Sequence, residues 1–243
     1  MKLLLIIFMF NTLVPQMFSQ ANYAKMQYVL QWNPSFCEST QYTCKSPIPQ
    51  NFTIHGLWPA TATGSGLLVP QPQYPNDWQI VKQDMALVTQ DQNLVNNLRH
   101  VWPTVVRSNT DEGFWKYEWE THGFGMRTQI DVRTYFEAAT RIHAIKIAIN
   151  GKTNLKDYFS NAGIQPGQFV TRSDIGNALA PIVRGINIKC YDNGTYIFVK
   201  EVILCLDSPL QNFVSCDPSR VNVGGGVKLL GICNYQKLLY FPA

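Results

Sequence analysis

Between Gly113 and Gly125 the chain reads Phe-Trp-Lys-Tyr-Glu-Trp-Glu-Thr-His-Gly-Phe, packing two tryptophans, two acids and a histidine into nine residues. If Phe114 to His122 is helical, Glu118 and His122 lie four apart and share one face. Trp115 and Trp119 form a second such pair on a neighbouring face, placed to anchor the helix in a core. A carboxylate beside an imidazole on a braced scaffold is equipped for proton transfer. An isolated Glu–His pair at this spacing is more often an ordinary helix contact. A second histidine element gives it weight: His55, in Phe52-Thr-Ile-His-Gly-Leu-Trp-Pro59.

The elements that must position these residues follow from local pattern. Tyr28 to Trp32 is β-branched and aromatic and stops at Asn33-Pro34, which predicts a strand. Phe52 to His55 reads as a short strand broken by Gly56 and Pro59, so His55 sits near a strand end. Cys37 to Gln50 and Ala60 to Asp77 are rich in small, polar and turn residues and are expected to be loops. Leu94, Leu98 and Val101 follow a capping Asp91 at helical spacing and stop at Trp102-Pro103. Arg107 to Glu112 is a polar loop. Tyr135, Ala138 or Ala139, Ile142, Ile145 and Ile149 form the longest helical stripe, closed by Gly151. His143 beside this stripe and His100 on the preceding helix read as surface or core-edge residues.

Leu155 to Asn161 is a short helix ending at Gly163. Thr171-Arg-Ser-Asp174 matches a capping box opening a helix toward Ala180-Pro181. Ile186 to Cys190 and Thr195 to Leu206 are β-rich and flank the hairpin signal Asp192-Asn-Gly194. Gly224 to Gly226 reads as a loop without the lysine of a phosphate-cradling motif. No repeat or linker divides the chain. The expectation is one α+β domain, a central antiparallel sheet packed with several helices and stabilised by disulfides.

The chain has 243 residues, 46% hydrophobic, with a formal net charge of +4 and no basic run long enough for a nucleic-acid arm. Lys2, the apolar run Leu3 to Val14 and Ser19-Gln-Ala21 form a secretory signal pattern over residues 1–21, with the mature domain spanning 22–243. No later stretch is apolar enough to span a bilayer, so a secreted or lumenal (extracellular or vacuolar) product is expected. Cys37, Cys44, Cys190, Cys205, Cys216 and Cys233 are an even set suited to that compartment, and spacing does not choose among their pairings. There is no clustered His/Cys spacing for zinc, and neither a metal nor another cofactor is expected. Asn51-Phe-Thr53 and Asn193-Gly-Thr195 are glycosylation sequons.

With both histidine segments in view, the chain resembles the ribonuclease T2 family, whose plant members include self-incompatibility ribonucleases. Phe52 to Pro59 matches the family's first active-site segment. Phe114 to Gly123 matches the second, approximately Phe-Trp-x-His-Glu-Trp-x-Lys-His-Gly-Thr-Cys. Val29 to Trp32, Trp102-Pro103, Gly163-Ile-Gln-Pro166, Glu201 to Cys205 and Phe241-Pro-Ala243 extend the likeness through most of the chain.

The resemblance implies metal-independent cleavage of single-stranded RNA through a 2′,3′-cyclic phosphate, with His122 as base, His55 as acid and Glu118 as helper carboxylate. Two imidazoles near pKa ~6.5 suit that division of labour. It also implies base contacts by Gln31, Trp58 and Phe114, and the pairings Cys37–Cys44, Cys190–Cys233 and Cys205–Cys216. The departures are specific. Tyr117 replaces a phosphate-binding histidine but keeps a hydroxyl for substrate. Thr121 replaces a lysine, Phe124-Gly125 replaces Thr-Cys, and Ala60 stands where many members carry a base-reading aspartate. Reduced turnover is expected. The alternative is a catalytically silent secreted homologue serving RNA binding, recognition of a partner protein, or storage; a monomer is expected under either reading.

Overall fold

In the computed structural model, residues 23–216, 233 and 238–243 are described. The signal segment at 1–21 and the loop at Gly224–Gly226 lie outside them. Two strands carry the first histidine. β1 (Lys25–Trp32) alternates Met26, Tyr28, Leu30 and Trp32 into the main core with Gln27, Val29 and Gln31 on the opposite face. Asn33–Ser39 then turns into a short helix, α1, with Pro34 in its first turn, so part of the expected Cys37–Gln50 loop is helical.

β2 (Phe52–Ala60) pairs antiparallel with β1 and runs through both expected breakers. It is an edge strand, where Pro59 has no inner ladder to interrupt. At Gly56 the ladder bulges: Val29 faces Gly56 and Leu30 faces Ile54, leaving His55 as the inserted residue. A bulge re-aims a side chain, and this one turns His55 onto the face opposite the main core.

The helices come next. α2 (Pro75–Thr89) overturns the end of the expected Ala60–Asp77 loop. Asp77 accepts the backbone N–H groups of Gln73 and Tyr74, closing a capping box with Pro75 in the first turn. α3 (Gln92–Val101) starts at the expected Asp91 cap, which accepts from Asn93 and Leu94. α4 (Asp111–Glu118) is capped by Thr110, with Asp111 and Glu112 at its positive end, so the end of the expected polar loop is already helical.

α5 (Val132–Ile142) continues as a π turn over His143–Ile147. The extra residue per turn shifts the stripe's phase: Ile147 is buried, while Ile145 and Ile149 are exposed, contrary to the regular stripe. His143 is buried, its Nε2 facing the Thr153 carbonyl at 3.0 Å. α6 (Leu155–Asn161), the short strand β3 (Gln168–Val170) and α7 (Arg172–Leu179) follow.

β4 (Asn187–Asp192) and β5 (Ile197–Asp207) form the hairpin predicted at Asp192-Asn-Gly194. β6 (Phe213–Val214) and β7 (Leu239–Phe241) complete a seven-stranded sheet of order β2-β1-β5-β7-β3, with β4 and β6 also on β5. Among the described residues every strand pairing is antiparallel except β5 with β7. Disulfides join Cys37 to Cys44, Cys190 to Cys233 and Cys205 to Cys216.

The main core packs helices on one sheet face around Trp32, Trp102, Trp115, Trp119, Tyr135 and Phe136. The other face carries a small cluster of Val29, Ile203, Cys205 and Cys216, with Trp58 packed on it. Gly125 presses its backbone against the loop before α2: a Cβ there would lie 2.6 Å from the Pro70 carbonyl oxygen and 2.7 Å from its Cδ. We expect Gly125→Ala to cost about 1–3 kcal/mol from overpacking, read as a fall of several degrees in melting temperature; an unchanged melt would refute this close contact.

Candidate active site

The two histidine segments are locked together through indoles. The Trp115 Nε1–H of α4 donates to the Trp102 carbonyl at 2.7 Å, and the Trp102 Nε1–H donates to the His55 carbonyl at 2.9 Å. Tyr135 Oη donates to the Leu57 carbonyl at 2.7 Å, bracing β2 just beyond the bulge. Each bond satisfies a polar atom inside an otherwise apolar core, which fixes one arrangement over its alternatives.

After Glu118 the helix widens into a π turn, Trp119–Gly123, before a 3₁₀ turn at Phe124–Met126. Such turns recur at functional sites because they re-aim side chains without ending the helix. Gly123 lies against the Trp119 ring, where any Cβ would clash. The expected continuous α-helix to His122 is therefore interrupted, yet Glu118 and His122 still face one another, Oε2 to Nε2 at 4.0 Å.

Trp58 is the centre of the site. Its Nε1–H donates to Glu118 Oε2 at 2.8 Å, its ring stacks on His122 with centroids 4.8 Å apart, and His55 meets it edge-on at 5.2 Å. His55 Nε2 is 3.9 Å from Glu118 Oε1, so one carboxylate stands between both imidazoles. Phe114 lies 5.9 Å from the His55 ring. Behind His55, Glu201 of β5 contacts Nδ1 at 2.6 Å, and Lys189 of β4 reaches Glu201 Oε2 at 3.1 Å.

Electrostatics push the two imidazoles in opposite directions. Burial disfavours the His55 cation, but the charge of Glu201, its hydrogen bond and the charge of Glu118 together raise the pKa above the ordinary value. His122 is lowered to about 4, first by burial and then by the charges of His55 and Lys189. Burial raises the Glu118 carboxyl, an effect reduced by His55 and by the Trp58 hydrogen bond. Burial also works against the Glu201 anion, yet His55 and Lys189 outweigh it and hold that carboxyl at about 2. One imidazole is disposed to carry a proton near neutrality and the other to lack one, the division that acid–base catalysis requires.

The remaining sequence candidates are placed as follows. Gln31 is buried, its Nε2 donating to Asn33 Oδ1 at 3.2 Å, where Thr53 also donates. Tyr117, on α4, is 57% exposed. Asn51 accepts from Asn33 Nδ2, whereas exposed Asn193 accepts backbone N–H groups of its own turn. Among the described residues no cluster of His, Cys, Asp and Glu could hold a metal, and no helix is long and apolar enough to cross a membrane. Sequence reasoning missed roles for Glu201 and Lys189. For Glu201 a signal was present: a carboxylate in Val199-Lys-Glu-Val-Ile-Leu is costly in a central strand unless partnered.

Residues 23–216 match the Ribonuclease T2 family. The chain belongs to that family. It is 32% identical over 206 residues to Ribonuclease S-6 of Pyrus pyrifolia, covering 83% of each chain. It is 30% identical over 223 residues to Ribonuclease 3 of Arabidopsis thaliana, covering 89% of this chain and 92% of that one. The solved self-incompatibility-associated SF11-RNase of Nicotiana alata superposes with a TM-score of 0.67 at 24% identity, over 91% of this chain and 100% of that one. This T2 member is thus of the RNA-cleaving endoribonuclease class.

Proposed function

We propose that the protein is a secreted, monomeric T2 endoribonuclease that cleaves single-stranded RNA by transesterification. The domain begins near residue 22 after its signal peptide. The observation that carries the reading is the pair His55 and His122, held on either side of Glu118 with opposite proton affinities.

His122, neutral above about pH 4, takes the proton from the ribose 2′-hydroxyl. The 2′-oxygen attacks the adjacent phosphorus, and the bond to the 5′-oxygen breaks. His55, kept protonated by Glu201 and Glu118, gives its proton to that leaving oxygen. The products are a 2′,3′-cyclic phosphate and a free 5′-hydroxyl. Glu118 orients the two rings through its contacts and through Trp58. Trp58 and Phe114 offer aromatic surface for bases, worth ~1–3 kcal/mol per stacked base, and Tyr117 is open to solvent for contact with the RNA backbone. By the family resemblance Gln31 contacts a base, its amide held in the buried Asn33–Thr53 network.

Thr121 carries no charge, and losing one preorganised donor typically costs ~10²–10³ in rate, so turnover is reduced relative to family members bearing lysine there. The test is digestion of a single-stranded oligonucleotide followed by mass spectrometry of the product ends. Wild type yields 2′,3′-cyclic phosphate termini; His122→Ala lowers their rate of appearance by about 10²–10⁴-fold. Equal traces from both proteins would instead favour the silent homologue.

A further inference from the structure

Glu118 and Glu201 are both buried, at 1% and 3% exposure, and both lie within ion-pair reach of one imidazole, His55. With His122 neutral, a phosphodiester entering between the histidines would add its negative charge to two carboxylates that share, among the histidines, the single His55 imidazolium. Negative charge on the phosphoryl oxygens grows further in the transition state. Thr121 cannot offset it, and Lys116 on the same helix is paired with Glu120. A cation is missing from the segment where the resemblance expects one.

Lys189 enters from another element. Gln31, Glu201 and Lys189 form one row across β1, β5 and β4, since Gln31 pairs with Glu201 and Glu201 with Lys189. The next residue, Cys190, is tied to Cys233 and pins the strand. The Lys189 ammonium lies 3.1 Å from Glu201 Oε2 and 4.2 Å from the centre of the Trp58 ring, the ring that also stacks on His122 and bonds Glu118. An ammonium over an indole is attracted to the ring's negative face. Its side chain is 35% exposed, so an incoming phosphate meets a cation that solvent also reaches. Lys200, its neighbour on β5, faces Phe36 instead. The charge of Lys189 lowers the proton affinity of His55, Glu118 and His122 alike, as a cation inside the site must.

We propose that Lys189 supplies the reacting phosphate with the positive charge that the second active-site segment lacks at Thr121. The inference rests on the ribonuclease reading and names a further charge-bearing residue for that reaction. Glu201 then has two tasks, holding His55 protonated and holding Lys189 in place.

The experiment measures cleavage of single-stranded RNA by the full protein with Lys189→Met, Lys189→Gln and Lys189→Arg, with melting curves for each. Two charge-removing variants are carried so that a folding defect in one leaves the other readable. Removal of the charge should lower kcat about 10- to 100-fold with KM changed less, and arginine should recover most of it. Thr121→Lys is then added to wild type and to the Lys189→Met protein. Its gain should be at least about tenfold larger in the second background, because two cations serving one phosphate are not additive. Equal gains in both backgrounds, or Lys189→Met and Lys189→Gln within twofold of wild type, would overturn the inference while leaving the ribonuclease intact. Wild type no faster than His122→Ala would remove both.

Discussion

Replacing His55 with alanine is expected to lower kcat/KM on single-stranded RNA by about 10²–10⁴-fold, the usual contribution of a positioned acid. The fold should survive, because Trp102 bonds the His55 carbonyl and not its ring. The chemistry makes a sharper demand. An acid matters only when the leaving oxygen needs a proton, so a nucleotide 3′-ester with a nitrophenol leaving group should largely escape the loss. The same ester should remain slow with His122→Ala, where the base is missing. If both variants lose activity equally on both substrates, the acid and base roles assigned to these residues fail.

Gly56→Ala carries the second large effect. Gly56 follows the bulged His55 on β2, and a Cβ there would strike Trp58 Nε1 and Glu118 Oε2. Neither can retreat freely. The indole is stacked on His122 and packed on the small cluster of Val29 and Ile203, and Glu118 is almost fully buried. Parting them leaves a buried carboxylate without its donor, at about 1–3 kcal/mol or more, and displaces the His122 ring. Activity should drop at least about 100-fold, in line with the penalty for misplaced catalytic groups, alongside a lower melting temperature. Near-normal activity would show that the Gly56–Trp58–Glu118 contact is not what aligns the site.

Much of this arrangement was legible from residue types and spacing. The Glu118–His122 pair, the caps at Asp91 and Thr171, the 192–194 hairpin and the α+β class all follow from short-range patterns that the structure repeats. What the pattern could not carry depends on contacts distant in sequence. The bulge at His55 exists because β1 holds Val29 and Leu30 in register on either side of it. Pro59 remains in a strand because β2 happens to be an edge. The π turns keep the residue spacing of a helix in sequence while changing its phase, so Ile145 and Ile149 looked buried and are not. Likewise Glu201 and Lys189 join His55 from strands some 130 to 150 residues away, a distance bridged only by the sheet.

Tyr117 and Thr121 show the converse limit. Their identities departed visibly from the family pattern, but only the fold shows that an ammonium from β4 stands over the ring at the centre of the same site. A substitution read as a loss along the chain can be compensated across the sheet.

The pH dependence of kcat/KM tests the central claim, two imidazoles held in opposite protonation states, most directly. Below about pH 4 His122 is protonated and cannot act as base, so activity should rise as pH climbs through that value. His55 is needed charged, and its raised pKa keeps it so beyond the ordinary imidazole range of ~6.5; activity should fall only above that range. Glu201→Gln removes the main support for that charge and should move the alkaline limb to lower pH while leaving the acid limb. These limbs belong to the coupled pair and report its macroscopic behaviour. A bell that is broad on both sides of ~6, with an alkaline limb sensitive to Glu201, is the predicted result. A single limb, or a profile unmoved by Glu201→Gln, would contradict it.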